Sequence, residues 1–221
     1  MLKKQSIKAV IFDMDGVISD TQDIHAQTES EILKDYGINL HPDKISRRFA
    51  GVSLNEMFPQ IFNEWEKDMP PLVQLIEEKW ERITNLVKGN VKEVGGTLEF
   101  IASLKNFGLP LAVASASHLS FIDLVLGELN LKTKFNAVTS AQEVERGKPE
   151  PDIFLLAARR LNAVPEDCLV IEDGISGMIA AKRAGMQCIG LVRGKADGDL
   201  PEVDLIVPDL RHVQFEQYIK P

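Results

Sequence analysis

From Gly95 onward, short apolar runs alternate with segments of helical periodicity, an order that few folds accept. The apolar runs are Leu109 to Ala114, Asn136 to Val138, Cys168 to Ile171, Gln187 to Leu191 and Asp204 to Val207. Between them lie helical patterns at Thr97 to Asn106, Leu119 to Glu128, Asp152 to Leu161 and Ser176 to Ala184, with Gly108 and Gly185 near helix ends. Strands joined through helices run parallel and are covered on both faces, so the alternation predicts an α/β fold with a mostly parallel sheet. A further strand is expected at Ile7 to Phe12, near the start of the chain. Between it and the rest stands a stretch, Ser19 to about Val94, far too long for a connection of ~4–6 residues. Its periodicity is helical: Ile24, Thr28, Ile32 and Tyr36 precede Gly37, and Leu72, Leu75, Ile76, Trp80, Ile83 and Val87 follow Pro70-Pro71. It reads as an inserted helical module that also holds both tryptophans, Trp65 and Trp80.

Of the 221 residues, 44% are hydrophobic and 26% charged, which suits one or two domains with a real core. The formal charge of −8 disfavours non-specific binding to nucleic acid or to an anionic membrane, so an anionic ligand needs a local cation. Cys168 and Cys188 have no metal-type spacing and sit in apolar runs, the pattern of buried thiols in a reducing compartment. Met1 to Val10 carries three lysines without a long apolar segment, and nothing later approaches a membrane span. The expectation is a cytoplasmic protein without nucleic-acid or membrane partners; the sequence is silent on oligomeric state.

The chemistry concentrates where strands end. Asp13 and Asp15 follow the first strand, and Gly16 lets the chain turn behind them; Glu172 and Asp173 follow the strand ending at Ile171. Open α/β sheets bind ligands at that edge. Two unit charges ~4 Å apart repel by roughly 4 kcal/mol at an effective dielectric near 20, so four clustered carboxylates demand a cation. Oxygen donors without His or Cys point to a hard ion, and Mg²⁺ fits best. Each acid pair alone is equally compatible with a turn or a helix cap. Ser115-Ala116-Ser117 follows the strand ending at Ala114, and Lys148 lies in Gly147-Lys148-Pro149; a hydroxyl and an ammonium are natural partners for phosphate oxygens, although each alone is also an ordinary surface feature.

Taken in order, Phe12-Asp13-Met14-Asp15-Gly16-Val17, Ala114-Ser115-Ala116-Ser117, Gly147-Lys148-Pro149-Glu150-Pro151-Asp152 and Ile171-Glu172-Asp173-Gly174-Ile175-Ser176-Gly177 resemble the four motifs of the haloacid dehalogenase-like superfamily, most closely its β-phosphoglucomutase-like branch. The resemblance spans nearly the whole chain. It implies a Rossmann-like three-layer core of residues 1–18 and 95–221 with an inserted helical cap of residues 19–94. It implies that Asp13 is the nucleophile, forming an aspartyl-phosphate, and that Asp15 is the general acid and then the base for water. Ser115, Ala116 and Lys148 would hold the phosphoryl group. Asp13, Asp15 through its carbonyl, Asp173 and Glu172 would hold Mg²⁺. By charge counting, Mg²⁺ and Lys148 balance ionised Asp13, Glu172 and Asp173 only if Asp15 is protonated.

An acid at position 15 disfavours carbon–halogen and carbon–phosphorus cleavage, since related dehalogenases and phosphonatases lack it. A phosphatase for a small phosphorylated sugar or polyol is the first expectation, and a β-phosphoglucomutase-type mutase the second. A mutase must grip a bisphosphate at both ends. In the mutase pattern the serine motif continues with Lys-Asn, and the cap loop carries Lys before its Gly and Arg a few residues later. This chain has His118-Leu119, and Ala50 before Gly51 with Leu54 after Ser53. Arg47 and Arg48 lie nearby as substitutes, and His25, Arg47, Gly51 and Ser117 are the candidate substrate contacts. A non-enzymatic phospho-receiver module shares the acids, hydroxyl and lysine, but lacks a large helical insertion after its first strand.

Overall fold

The computed structural model describes residues 7–194 and 200–218; residues 1–6, which hold part of the Met1 to Val10 segment, lie outside the described residues. Six strands, β1 (Ala9–Phe12), β2 (Leu111–Ser115), β3 (Ala137–Ser140), β4 (Cys168–Glu172), β5 (Gln187–Leu191) and β6 (Leu205–Val207), form one sheet in the order β3-β2-β1-β4-β5-β6. All pairs are parallel. The chain therefore winds outward in both directions from β1, and the crevice beyond the carboxyl ends of β1 and β4 is where such a sheet receives a ligand.

Alternation along the strands sorts the core into two layers. Val10 and Phe12 join Phe100 and Leu104 of α5 (Thr97–Asn106) and Phe121 and Val125 of α6 (Leu119–Glu128). Ala9 and Ile11 face Phe154 and Ala157 of α7 (Asp152–Arg160) and Met178 and Ala181 of α8 (Ile175–Arg183). Helices on both faces of a parallel sheet make the three-layer Rossmann-like core. Cys168 and Cys188 are buried in the second layer as free thiols. Burial, with Asp167 and Glu166 nearby, pushes the Cys168 thiol up to about 12.

Between β1 and α5 stand α1 (Gln22–Asp35), α2 (Pro42–Phe49), α3 (Leu54–Glu64) and α4 (Leu72–Val87). Pro42 opens α2 at a position where no intrahelical N–H is needed, and the Ser53 hydroxyl caps α3 by accepting from the Asn55 N–H. α1 packs on α2 and α4, and α3 on α4. The chain enters and leaves this segment side by side: the Asp20 N–H donates to Lys92 O and the Val94 N–H to Ile18 O. Among the described residues no helix is long and apolar enough to cross a membrane.

Candidate active site

Register sets the site. Phe12 pairs with Val113 on one side and Ile171 on the other, so the residues that follow, Asp13, Ser115 and Glu172 with Asp173, emerge at one edge. The Asp13 N–H donates to Ile171 O at 2.9 Å, extending the ladder by one bond before the chain turns at Gly16. That turn requires glycine, because φ is +87° and a Cβ there would lie 2.0 Å from Asp173 Oδ2.

Asp13, Glu172 and Asp173 bring one oxygen each within 4.8 Å of the others. Lys148, fully buried, donates from Nζ to Asp13 Oδ1 at 2.5 Å and to Glu172 Oε2 at 2.8 Å. The Gly174 N–H at 2.9 Å and the Asp173 N–H at 3.2 Å fix the other Glu172 oxygen. Burial alone would lower the Lys148 ammonium, but Asp13 and Glu172 outweigh it and hold it well above the usual lysine range. Three carboxylates still face one ammonium. Burial and then Glu172 push Asp13 well above the ordinary carboxylate range despite Lys148, and burial, Glu172 and Asp13 do the same to Asp173. A hard divalent cation among these oxygens would relieve that excess, so the residues present fit Mg²⁺.

Asp15 lives in the opposite environment. Its Oδ1 accepts from Thr21 Oγ1 at 2.5 Å and lies 3.1 Å from His25 Nε2; its Oδ2 accepts from Ser117 Oγ at 2.7 Å and Ser115 Oγ at 3.4 Å. Burial would raise its pKa, yet the His25 ring and the hydrogen bonds from His25, Thr21 and Ser117 together hold it well below the ordinary range. The hydrogen bonds around Asp15 favour its carboxylate, the opposite direction from the protonated Asp15 expected from charge counting. Counting charges left out the hydrogen bonds that favour the carboxylate. Its side chain also stands outside the three-carboxylate cluster, leaving only its carbonyl for the metal role that the resemblance implies.

The other expected residues separate into those that meet at the cleft and one that does not. His25, Gly51, Ala116 and Ser117 line it with Asp13 and Asp15. Ser115 sits beneath, its hydroxyl accepting from the Ser117 N–H at 3.0 Å. Arg47 is exposed and does not line the cleft: helical rotation turns Ile45 and Phe49 of α2 inward and Arg47 outward. Arg48 is likewise exposed and pairs with Glu64 at 2.6 Å.

Sequence reasoning missed a buried lysine. Lys79, on α4, is 2% exposed and reaches His25 Nδ1 at 2.7 Å and Glu29 Oε1 at 3.5 Å. An ammonium has only donors, so His25 Nδ1 accepts, and Nε2 carries the proton that it donates to Asp15. Burial pulls Lys79 below its usual range while Glu29 and Asp15 oppose it. Its sequence signal was its place four residues after Leu75 and four before Ile83, on an otherwise apolar stripe. Glu29, four residues after His25, is the matching signal on α1.

Known proteins resemble this chain over most of its length. The family description "Haloacid dehalogenase-like hydrolase" matches residues 10–191. A phosphorylated carbohydrates phosphatase of Thermotoga maritima is 33% identical over 195 residues, covering 87% of this chain and 88% of the relative. A β-phosphoglucomutase of Bacillus subtilis is 31% identical over 222 residues, covering 96% and 97%. Among solved structures, a β-phosphoglucomutase of Clostridium difficile superposes with a TM-score of 0.82 at 28% identity, over 95% of this chain and 94% of the other.

Proposed function

The chain belongs to the haloacid dehalogenase-like hydrolase family and is an enzyme, and from that premise we propose that it hydrolyses the phosphate monoester of a small sugar or polyol through an aspartyl-phosphate. One observation carries the proposal: two carboxylates one residue apart have separate partners, Asp13 with Lys148, and Asp15 with Thr21, His25 and Ser117. Groups whose surroundings push their proton affinities apart are suited to different roles.

In the proposed reaction a carboxylate oxygen of Asp13 attacks phosphorus, and the bond to the ester oxygen breaks as Asp15 passes it a proton. Asp15 then takes a proton from water as the water oxygen attacks the same phosphorus, which releases inorganic phosphate and restores Asp13. An ionised resting Asp15 suits the second half. A phosphate dianion beside it raises its proton affinity, the direction that the first half needs. Lys148, the Ser115 hydroxyl and the backbone at Ala116 would hold the phosphoryl oxygens. Mg²⁺ held by Asp13, Glu172 and Asp173 would supply positive charge there. The helical segment 19–94 would act as the cap, excluding bulk water and setting substrate choice.

A phosphomutase is the second reading, favoured by similarity to the Bacillus subtilis enzyme over nearly the whole chain. The experiment is a phosphate-release screen over sugar, polyol and nucleotide monophosphates with Mg²⁺, beside conversion of β-glucose 1-phosphate primed with a bisphosphate. Release from sugar or polyol phosphates is expected. Efficient isomerisation with negligible release would replace the phosphatase by the mutase.

A further inference from the structure

Lys79, on α4, and Glu29, on α1, line the cleft together with Asp13 and Asp15. Lys79 Nζ lies 2.7 Å from His25 Nδ1, and His25 Nε2 lies 3.1 Å from Asp15 Oδ1, so one imidazole ring separates the ammonium from Asp15. In the proposed reaction Asp15 protonates the ester oxygen, and the carbon body of the substrate hangs from that oxygen. The body therefore starts beside Asp15 and lies within the field of Lys79.

No other lysine or arginine among the described residues lines this cleft. His25 adds no charge, because the ammonium already occupies the Nδ1 lone pair that a second proton would need. The remaining wall is apolar at Ile45, Phe49, Leu54 and Trp80, and polar but uncharged at Gln22 and Ser46. At short range Lys79 fixes the His25 tautomer that donates to Asp15. At longer range the same charge would draw any anion into the cleft. Glu29 Oε1, 3.5 Å from Nζ, cancels that longer-range field and leaves the bond to His25 in place.

Building on the phosphatase reading, we propose that Glu29 is the specificity-determining residue for the body of the substrate: by cancelling Lys79 it leaves that end of the cleft without net charge, so the enzyme takes monophosphates of neutral sugars or polyols and disfavours bodies that carry a carboxylate or a second phosphate. An anionic group drawn out of water there would find no unspent cation.

The test measures kcat/KM with Mg²⁺ at about pH 6, where an ammonium on the protein and one on the substrate both keep their protons. Glucitol 6-phosphate and 6-phosphogluconate share a carbon chain and differ at its far end, a hydroxymethyl group against a carboxylate. Glucose 6-phosphate and glucosamine 6-phosphate differ by a hydroxyl against an ammonium. The wild type should prefer glucitol 6-phosphate to 6-phosphogluconate by about tenfold or more. Glu29→Gln keeps the size of the side chain and removes its charge. It should raise the use of 6-phosphogluconate relative to glucitol 6-phosphate by about tenfold, and lower that of glucosamine 6-phosphate relative to glucose 6-phosphate by about threefold or more. General damage to the cleft would not move the two ratios in opposite directions. Ratios that stay unchanged or shift together would overturn the proposal. So would comparable use of 6-phosphogluconate and glucitol 6-phosphate by the wild type, a result that needs no variant to fold. If nothing is hydrolysed, the phosphatase reading fails, and calorimetric binding of the same four ligands to both proteins still decides the role of Glu29.

Discussion

Asp13 and Asp15 differ by one residue in sequence and by almost everything in surroundings. Replacing Asp13 with Asn should prevent any acid-labile phosphoenzyme from forming in rapid-quench experiments, and undiminished labelling would remove it as nucleophile. Asp15→Asn should lower steady-state turnover of alkyl phosphates by about 10²–10⁴-fold, the usual worth of a positioned proton donor. Wild-type turnover would reverse the assignment. These two acids, with Ser115, Lys148, Glu172 and Asp173, were legible in the sequence because each ends or closely follows a strand or sits in a short loop motif. Lys79 and Glu29 were not, because they lie 50 residues apart and meet only when α1 packs on α4. Removing Lys79 alone, as Lys79→Met, strands Glu29 in the interior and should cost about 3 kcal/mol in urea unfolding. Adding Glu29→Met should recover most of that loss, whereas additive losses would mean that the pair is not coupled.

At the scale of elements, the sheet and its flanking helices were legible because buried parallel strands and amphipathic helices leave different periods in the sequence. Gln187–Leu191 and Thr97–Asn106 fall at the bounds that the pattern predicts. The two middle helices of the insertion were implied without being delimited. α2 is only eight residues long, and Pro59, which reads as a helix breaker, lies inside α3. Turns carry the tightest constraint, since the loop after β1 must bring Gly16 against Asp173. Gly16→Ala would put a methyl group into that carboxylate and force a positive φ on a residue that disfavours it by about 1–2 kcal/mol. The expected result is a lowered thermal midpoint together with weakened Mg²⁺ binding by calorimetry. Stability loss with unchanged Mg²⁺ affinity would separate the turn from the metal cluster.

Across the whole molecule, the helical segment touches the core through contacts that converge on the candidate active site. Val52 bridges to Lys148, and the Ser176 hydroxyl donates to Ala50 O at 2.5 Å from the first turn of α8, directly behind Glu172 and Asp173. Gly51, between these two ties, has a positive φ, and a Cβ there would come within 3.0 Å of Ser176 Oγ. The loop joining α2 and α3 is therefore seated on the elements that hold Lys148 and the acidic cluster. No sequence pattern could reveal this seating, because nothing in the sequence pairs Ala50 and Val52 with Ser176 and Lys148 before the fold brings them together. Ser176 touches none of the reacting groups, so Ser176→Ala isolates closure from chemistry. One hydrogen bond is worth about 0.5–1.5 kcal/mol net, which predicts a KM for a hexitol phosphate raised by about threefold to tenfold. Phosphoenzyme formation at saturating substrate should stay within about twofold, because once the site is filled the bound ligand itself holds the loop down. A fall in that saturated rate, with KM unchanged, would instead mean that the serine positions Glu172 and Asp173 directly and that the loop closes without it.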